Sequence, residues 1–574
     1  GDSILFKGGD TFIGQLRVNS SGSAEMPIIY GRYGSGPKPV IDGARAEGGA
    51  YTSAILIRNQ EGIVMEGLSI TNDRRFTRQG ENDQEGYGIF VHNDGDKIMR
   101  YFRFRDLTIK EIFAISTNGL DFDALTVAGI YLRSEKNSTR GKEKHIRDVI
   151  VENCYITHTG KFGIWSQHAG GDPGIGNDSL NRNMDFIFRD NHTFETGGSG
   201  ITPGRTYNCL VEGNTFEYPG SDVDPRMAAR GSGAWFFGCR NVVAQYNKSL
   251  HIRGPKDSYG MHIDFGNKYV ILQYNYSEDS EGGFVEILGN NTYATYRYNV
   301  SVNDGLREDA RTFWISSFAG QNRIASDSNY IYNNSIYLGD NLDTDIFLQG
   351  ANTFIFNNIL YAASGAEIGQ ETTFKQMGGQ VYIKANLYHG RIADRLTGKD
   401  NQAIFENPGY TEPGALYAKG YHLVKGSPAE KKSVNVFGEP VFPMAGKRIF
   451  ENITEKVSFD YFGNPVNLSE PTSLGASNGE GFAYVMNLSS KEQALRLYPN
   501  PATVQCHIDH PDLPLLKLEV YNVSGKLVKA TYNSQTSILD CSGMKPGQYI
   551  VRAITISGRV FNQRLIKVEA NHVD

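Results

Sequence analysis

Two acidic residues, Asp264 and Glu286, stand 22 residues apart in matching settings, Gly260-Met261-His262-Ile263-Asp264 and Gly282-Gly283-Phe284-Val285-Glu286. In each, a small residue leads an alternation of apolar and outward positions, and the acid is the last outward one. If the two segments are strands on successive turns of a coil, the carboxylates project side by side, because parallel strands lie about 4.8 Å apart. Like charges that close raise one pKa, so the pair divides into a proton donor and an ionised partner near neutrality. Glycoside hydrolysis uses such a division: an acid for the leaving oxygen, and a nucleophile or base for the anomeric carbon. His262, two residues before Asp264 and on the same face, is placed to orient a substrate or tune the pair. Trp235, Phe237 and Phe284 are expected around the acids, where they would lower solvation. A surface acidic pair and a metal site are the competing readings. Two acids offer few oxygens for Ca²⁺, which takes about 6–8, so no residue is assigned to a metal.

The same five-residue pattern recurs between residues 88 and 350. It reads Gly88-Ile89-Phe90-Val91-His92, Gly129-Ile130-Tyr131-Leu132-Arg133, Gly163-Ile164-Trp165-Ser166-Gln167, Gly200-Ile201-Thr202-Pro203-Gly204 and Gly233-Ala234-Trp235-Phe236-Phe237, with looser copies at Thr312 and Asp345. Successive copies start 22 to 41 residues apart, and each leads to a strand ending near an Asn, such as Asn153, Asn214, Asn247, Asn275, Asn299 or Asn358. A minimal turn carrying loops of variable length is the signature of a solenoid. Alternation over five residues specifies strands. Asn at a turn tolerates left-handed backbone, and stacked Asn side chains can bond one another along the solenoid axis. The expected fold is all-β: a right-handed parallel β-helix. A β-sandwich or propeller array would show regular hairpin turns, which this region lacks.

The third position of the pattern reads Phe90, Tyr131, Trp165, Thr202, Trp235, His262, Phe284, Trp314 and Phe347. So aromatic an outer face is unlike ordinary solvated surface. It suits a groove in which sugar rings stack, or else a second small core beneath long loops. Arg133, Arg226, Arg230, Arg253, Lys256, Tyr259 and Arg311 lie on or beside this face. With Trp165, Trp235, Phe237, Phe284 and Trp314 they form the candidate substrate-binding set. Guanidinium groups offer bidentate geometry to sulfate or carboxylate, which points to a polyanionic polymer, sulfated or uronate-containing, algal fucan among them. Solvated loop charges are the alternative for each.

The chain has 574 residues and a formal net charge of −6, which argues against a nucleic-acid partner held by bulk positive charge. No apolar run reaches the roughly 18–20 residues of a spanning helix. The five cysteines, Cys154, Cys209, Cys239, Cys506 and Cys541, include no Cys-x-x-Cys pair and are too sparse for a disulfide framework. No signal-peptide pattern opens at Gly1, and the chain is expected to begin after such a segment. The solenoid domain is expected over 1–477, a linker over 478–494, and a second domain over 495–574. In that last stretch Leu495-Arg496-Leu497-Tyr498-Pro499-Asn500-Pro501, Val520-Tyr521-Asn522-Val523-Ser524-Gly525-Lys526-Leu527-Val528 and Pro546-Gly547-Gln548-Tyr549-Ile550-Val551-Arg552 alternate with turn signals, as in a small β-sandwich.

The opening Gly1-Asp2-Ser3-Ile4-Leu5-Phe6-Lys7-Gly8-Gly9-Asp10-Thr11-Phe12, continuing to Pro39-Val40-Ile41-Asp42-Gly43, resembles the first coils of the parallel β-helix enzymes that cleave polysaccharides. That group holds both lyases and glycoside hydrolases. Gly260-Met261-His262-Ile263-Asp264-Phe265 and Phe284-Val285-Glu286-Ile287 resemble the Asp and Glu motifs of β-helix glycosidases of the β-xylosidase type. The resemblance implies Asp264 as nucleophile and Glu286 as acid/base. Phe265 and Leu288-Gly289-Asn290 depart from that pattern, leaving the sugar and the stereochemistry open. The final 75 or so residues resemble the C-terminal sorting domain of the type IX secretion pathway of Bacteroidetes. This implies export to the medium or cell surface, with the secretion machinery as partner. The expected protein is a monomeric glycoside hydrolase without a cofactor, its partner a polysaccharide. The alternatives are a lyase with Arg253, Lys256, His262 or Tyr259 as base and Ca²⁺ as helper, and a non-catalytic glycan-binding β-helix.

Overall fold

The computed structural model of the chain describes residues 1–116, 124–136, 143–170, 182–375, 377–435, 438–479, 496–498, 502–509, 515–522, 527–533, 536–555 and 560–568. It divides into two units, Gly1–Phe482 and Ala483–Asp574. The expected linker lies outside the described residues except for Asn478 and Gly479.

The first unit is a right-handed parallel β-helix with three parallel sheets of thirteen strands each. Each turn adds one strand to every sheet, from Ser3–Lys7, Thr11–Ile13 and Leu16–Val18 to Val381–Lys384, Leu387–His389 and Arg391–Ile392. Inward positions stack into unbroken apolar columns. Phe104, Val151, Phe188, Val211, Ala244, Leu272, Tyr296, Ile331, Ile355 and Ile383 are aligned residue to residue in the first sheet. All belong to one buried cluster filling the coil. Burial at about 25 cal/mol per Å² makes this cluster the main stabilising term.

Two devices hold the turns in register. At the corner between the first and second sheets, Asn191, Asn214, Asn247, Asn275, Asn299, Asn334, Asn358 and Asn386 form a buried ladder. Each Asn in it donates its side-chain amide to the next Asn Oδ1 at 2.9–3.0 Å. Asp400 closes the ladder, accepting the Asn386 Nδ2–H at 2.9 Å and its backbone N–H at 2.8 Å. The left-handed residue of this corner is the one before each rung: Asp190, Tyr246, Tyr274, Tyr298, Asn333, Asn357 and Ala385 have φ between 51° and 56°. Asn153 (φ 54°) is such a corner residue rather than a rung. The second device is the glycine that opens each repeat. A Cβ on Gly88, Gly129, Gly163, Gly200 or Gly233 would come within 2.4–2.9 Å of the carbonyl of the corresponding glycine on the next turn, so only glycine permits the close approach.

The winding ends at Ile392, short of the expected boundary at 477. Leu396 joins the coil core, and described residues between 404 and 479 lie along the outside, because outward positions of two sheets are themselves apolar. Phe442, Phe450 and Ile453 cover Ile187, Leu210, Val243 and Ile271 of the first sheet. Tyr421, Leu423, Leu474 and Ala476 cover Val300, Val302 and Tyr337 of the second. The second unit has two four-stranded antiparallel sheets around Leu497, Cys506, Ile508, Val520, Leu539, Val551 and Leu565. All five cysteines are buried.

Replacing Asn299 by Ala removes the Oδ1 that accepts the Asn275 backbone and side-chain N–H groups, and the amide donated to Asn334 Oδ1 and the Leu272 carbonyl. Orphaned buried donors and acceptors cost about 1–3 kcal/mol each, so Asn299→Ala is expected to lower unfolding free energy by roughly 2–4 kcal/mol, measured by urea denaturation.

Candidate active site

The third sheet carries the five-residue repeats, and its outer face holds the aromatic column. Phe90, Tyr131 and Trp165 are aligned on consecutive turns and stack, with ring centres 5.3 and 4.2 Å apart. Trp235 aligns with His262, their rings 5.3 Å apart. Tyr87, Tyr131 and Phe162 are buried among these rings, while Phe90, Trp165 and Trp235 stay partly exposed. This part of the column is therefore a second small core with an exposed flank.

The turn carrying Glu286 departs from the expected frame. Ile263 pairs with Ile287, and Glu286 pairs with Trp314, so Glu286 falls in line with His262 rather than with Asp264. The glycine column explains the slip. Tyr259 bridges to Gly283, which places Phe284, not a glycine, beside Gly260. Gly283 has φ 132°, and a Cβ there would sit 1.9 Å from the Arg311 carbonyl oxygen. The chain turns at this glycine, and Phe284 points into the coil, its ring 5.8 Å from that of Tyr296. Phe284 is thus a core residue, not a substrate-binding one. Asp264 and Glu286 are diagonal neighbours on adjacent turns.

Both acids face outward but are covered: Glu286 is 0% and Asp264 4% exposed. Asp264 accepts the Trp235 indole N–H at 2.6 Å and the Phe265 backbone N–H at 2.8 Å. Burial pushes its pKa up to about 7, with the Trp235 hydrogen bond pulling the other way and Asp257 adding to the rise. Neither Glu286 carboxyl oxygen has a hydrogen-bond partner among the described residues. Burial, then the nearby Asp257 and Asp264 carboxylates, raise its pKa well above the ordinary range. An uncompensated carboxylate in such a place is costly, so burial favours the protonated form of Glu286. The His262 Nδ1 lies 2.8 Å from the Ser232 hydroxyl and 3.5 Å from Glu286 Oε2. Burial lowers its pKa to about 4, leaving the imidazole neutral. Asp257 and Arg230 complete the cluster through an ion pair of 2.5 Å. Donor atoms of Asp257, His262 and Glu286 all lie within 4.8 Å of one another, a spacing that would also admit a cation.

The backbone around the acids is fixed from inside and outside. The Tyr296 hydroxyl bonds the Met261 and Glu286 carbonyls, each at 3.0 Å, so one buried phenol ties the two turns together beneath the site. On the outer side, two consecutive left-handed residues, Asp257 (φ 57°) and Ser258 (φ 64°), aim Asp257 at His262. The sequence reading missed Ser232 and Tyr296. Tyr296 left a signal: it is a polar-tipped residue in an otherwise apolar inward column.

The remaining candidates divide. Trp314 lies 6.0 Å from the Tyr259 ring and beneath Arg311, whose guanidinium is 5.1 Å from its centre. Phe237 packs edge-on against Phe265 at 4.9 Å. Tyr259 is 1% exposed and serves as packing over Gly282 and Gly283. Arg226, 5% exposed, is held by Asp73 at 2.6 Å and Asp224 at 2.7 Å, over the Phe113 ring. Arg133 is engaged by Glu135 and the Tyr131 hydroxyl. Arg253 donates to the Asp279 and Ile252 carbonyls. Lys256 is exposed on the loop before Asp257. The structure therefore commits most of the basic candidates to partners within the protein.

Because the folded Asp264 binds a proton between the unfolded carboxylate pKa near 4 and its own near 7, it lowers stability as pH rises through that window. Asp264→Asn is expected to gain stability relative to the parent by on the order of 3 kcal/mol between pH 4.5 and 8, read from denaturation at both pH values. Trp235→Phe, which removes the donor favouring the carboxylate, should move the Asp264 titration upward, followed by infrared difference spectra against Asp264→Asn.

Among solved structures, the chain is similar to the GH136 lacto-N-biosidase of Eubacterium ramulus, at 20% identity and a TM-score of 0.46, covering 67% of this chain and 62% of that one. It thus spans about 62% of that enzyme's length. It is also similar to an alginate lyase of Paenibacillus sp. str. FPU-7 (16% identity, TM-score 0.30, 68% and 92% covered) and to pectate lyase Pel9A (11%, 0.32, 84% and 88%). No curated protein matches. Residues 496–568 match the model of the secretion system C-terminal sorting domain. The chain therefore ends in a sorting domain of the type IX pathway and is an exported protein, secreted or held at the cell surface.

Proposed function

We propose that the β-helix is a glycoside hydrolase acting on a polysaccharide outside the cell, with Glu286 as proton donor and Asp264 as the ionised partner. The observation carrying this reading is the pair of covered carboxyls with unequal environments: neither Glu286 oxygen has a hydrogen-bond partner among the described residues, while Asp264 is held by two N–H donors. Such a split supplies a proton to the glycosidic oxygen and a carboxylate to the opposite side of the reacting carbon. Neutral His262, anchored on Ser232, acts as a positioning residue for Glu286. Trp235 and Trp314, both partly exposed, offer ring faces for sugar. Since the acids are closed off from water here, the reading requires the side chains above them to shift when substrate binds. The donor set of Asp257, His262 and Glu286 also fits a divalent cation, which would hold Glu286 ionised and favour elimination from a uronate polymer instead.

A screen of sulfated fucans, carrageenans, alginate, pectins and xylans, read by product mass, identifies the polymer. Hydrolysis is expected to give new reducing ends without new ultraviolet absorbance. Asp264→Asn and Glu286→Gln should each lower kcat by roughly 10²–10⁴-fold with the fold intact by circular dichroism. The pH profile should rise through about pH 7 as Asp264 ionises and fall again as Glu286 loses its proton. An absorbing unsaturated product, or activity abolished by a chelator, would overturn the hydrolase reading.

A further inference from the structure

The first sheet presents a row of cations on a face separate from the candidate active site. Arg100, Arg147, Met184, Tyr207, Arg240 and Lys268 are paired residue to residue on six consecutive turns. At about 4.8 Å per turn the row extends about 24 Å along the solenoid axis. The inner neighbours Met99, Ile146 and Cys239 are in the coil core, so the row faces out. Tyr207 sits near its middle, with the Arg182 and Arg240 guanidiniums 5.7 and 5.9 Å from its ring centre.

One end of the row is concave. Arg100, Arg147 and Arg448 with Asp148, Asp185 and Ile449 line a cleft of about 430 Å³ between the sheet and the returning segment. Asp185 is shared by Arg147 at 2.7 Å and Arg448 at 3.4 Å, and Asp148 is taken by Arg103 at 2.7 Å. Three guanidiniums therefore face two carboxylates in the cleft, and one of those carboxylates is already bound from outside the lining set. No ion pair to the side chain of Arg100 or Lys268 is found among the described residues. A pair of cations at each end of the row, with Met184 and the Tyr207 ring between them, matches a polymer that carries anionic groups along its length and presents apolar ring faces between them.

We propose that this face is a non-catalytic binding site for an anionic polysaccharide, sulfated or uronate-containing, lying along the solenoid axis from the Arg448 cleft to Lys268. The proposal stands apart from the assignment of Asp264 and Glu286, since binding here needs no turnover.

The test uses the full chain on immobilised heparin at low salt, with alginate, neutral dextran and duplex DNA as soluble competitors. The parent is expected to bind and to elute with added salt, as screening of exposed charges requires. Alginate should compete and dextran should not. Arg100→Gln/Lys268→Gln/Arg448→Gln, checked for an unchanged thermal transition, should bind about tenfold more weakly. A second set, Arg100→Glu and Lys268→Glu with Arg448 kept, should weaken binding at least as much, and it tests the row without disturbing the Asp185 pair. Unchanged heparin binding in both sets, competition by dextran, or duplex DNA competing as well as alginate would each overturn the proposal.

Discussion

Parallel hydrogen bonding between turns, at a spacing of about 4.8 Å, is the constraint from which the rest of this molecule follows. It allows no side chain where one turn's carbonyl meets the next turn's Cα, which is why Gly88, Gly129, Gly163, Gly200 and Gly233 stack in one line. It also brings like side chains into line, so each column must be made of residues that tolerate their own kind. Aliphatic residues do so inside, aromatic rings do so on the third sheet, and asparagine does so at the buried corner because its amide both donates and accepts. Eight asparagines and a terminal aspartate satisfy backbone groups that would otherwise be orphaned in the core.

The same rule makes acids and bases conspicuous. Carboxylates cannot stack directly without penalty, and Glu286 avoids Asp264 by standing one column away, against neutral His262 and Trp314. What concentrates chemistry there is the loop cover. Arg230 and Asp257 close over the acids from segments between strands, and burial then drives the Glu286 and Asp264 pKa values up and the His262 pKa down. Loop folding and electrostatics are one event: the Arg230–Asp257 pair that fixes the loop also covers the acids.

Relocating the basic residues changes where an anionic polymer meets the protein. On the third sheet most arginines are spoken for, whereas in the first-sheet cleft Arg100, Arg147 and Arg448 face only Asp148 and Asp185. A candidate site sealed by loops on one sheet and a charged face on another are separate features of one exported protein.

Much of this was legible in the residues. The alternation around Gly129, Gly163 and Gly233, the Asn-ended strands and the sorting-domain motifs specify strands, turns and two units, because those signals are local and repeat. Composition likewise fixed the aromatic outer column. Tertiary structure alone decided the frame of the turn holding Glu286, since one non-glycine at the crowded corner and a φ of 132° at Gly283 move its register and turn Phe284 inward. It alone decided that the left-handed corner residue precedes the ladder asparagine, and that Tyr296 reaches up from the core to tie the Met261 and Glu286 backbones. Local pattern sets which way a strand's side chains alternate; only the stacking of one turn on the next sets which of them become neighbours.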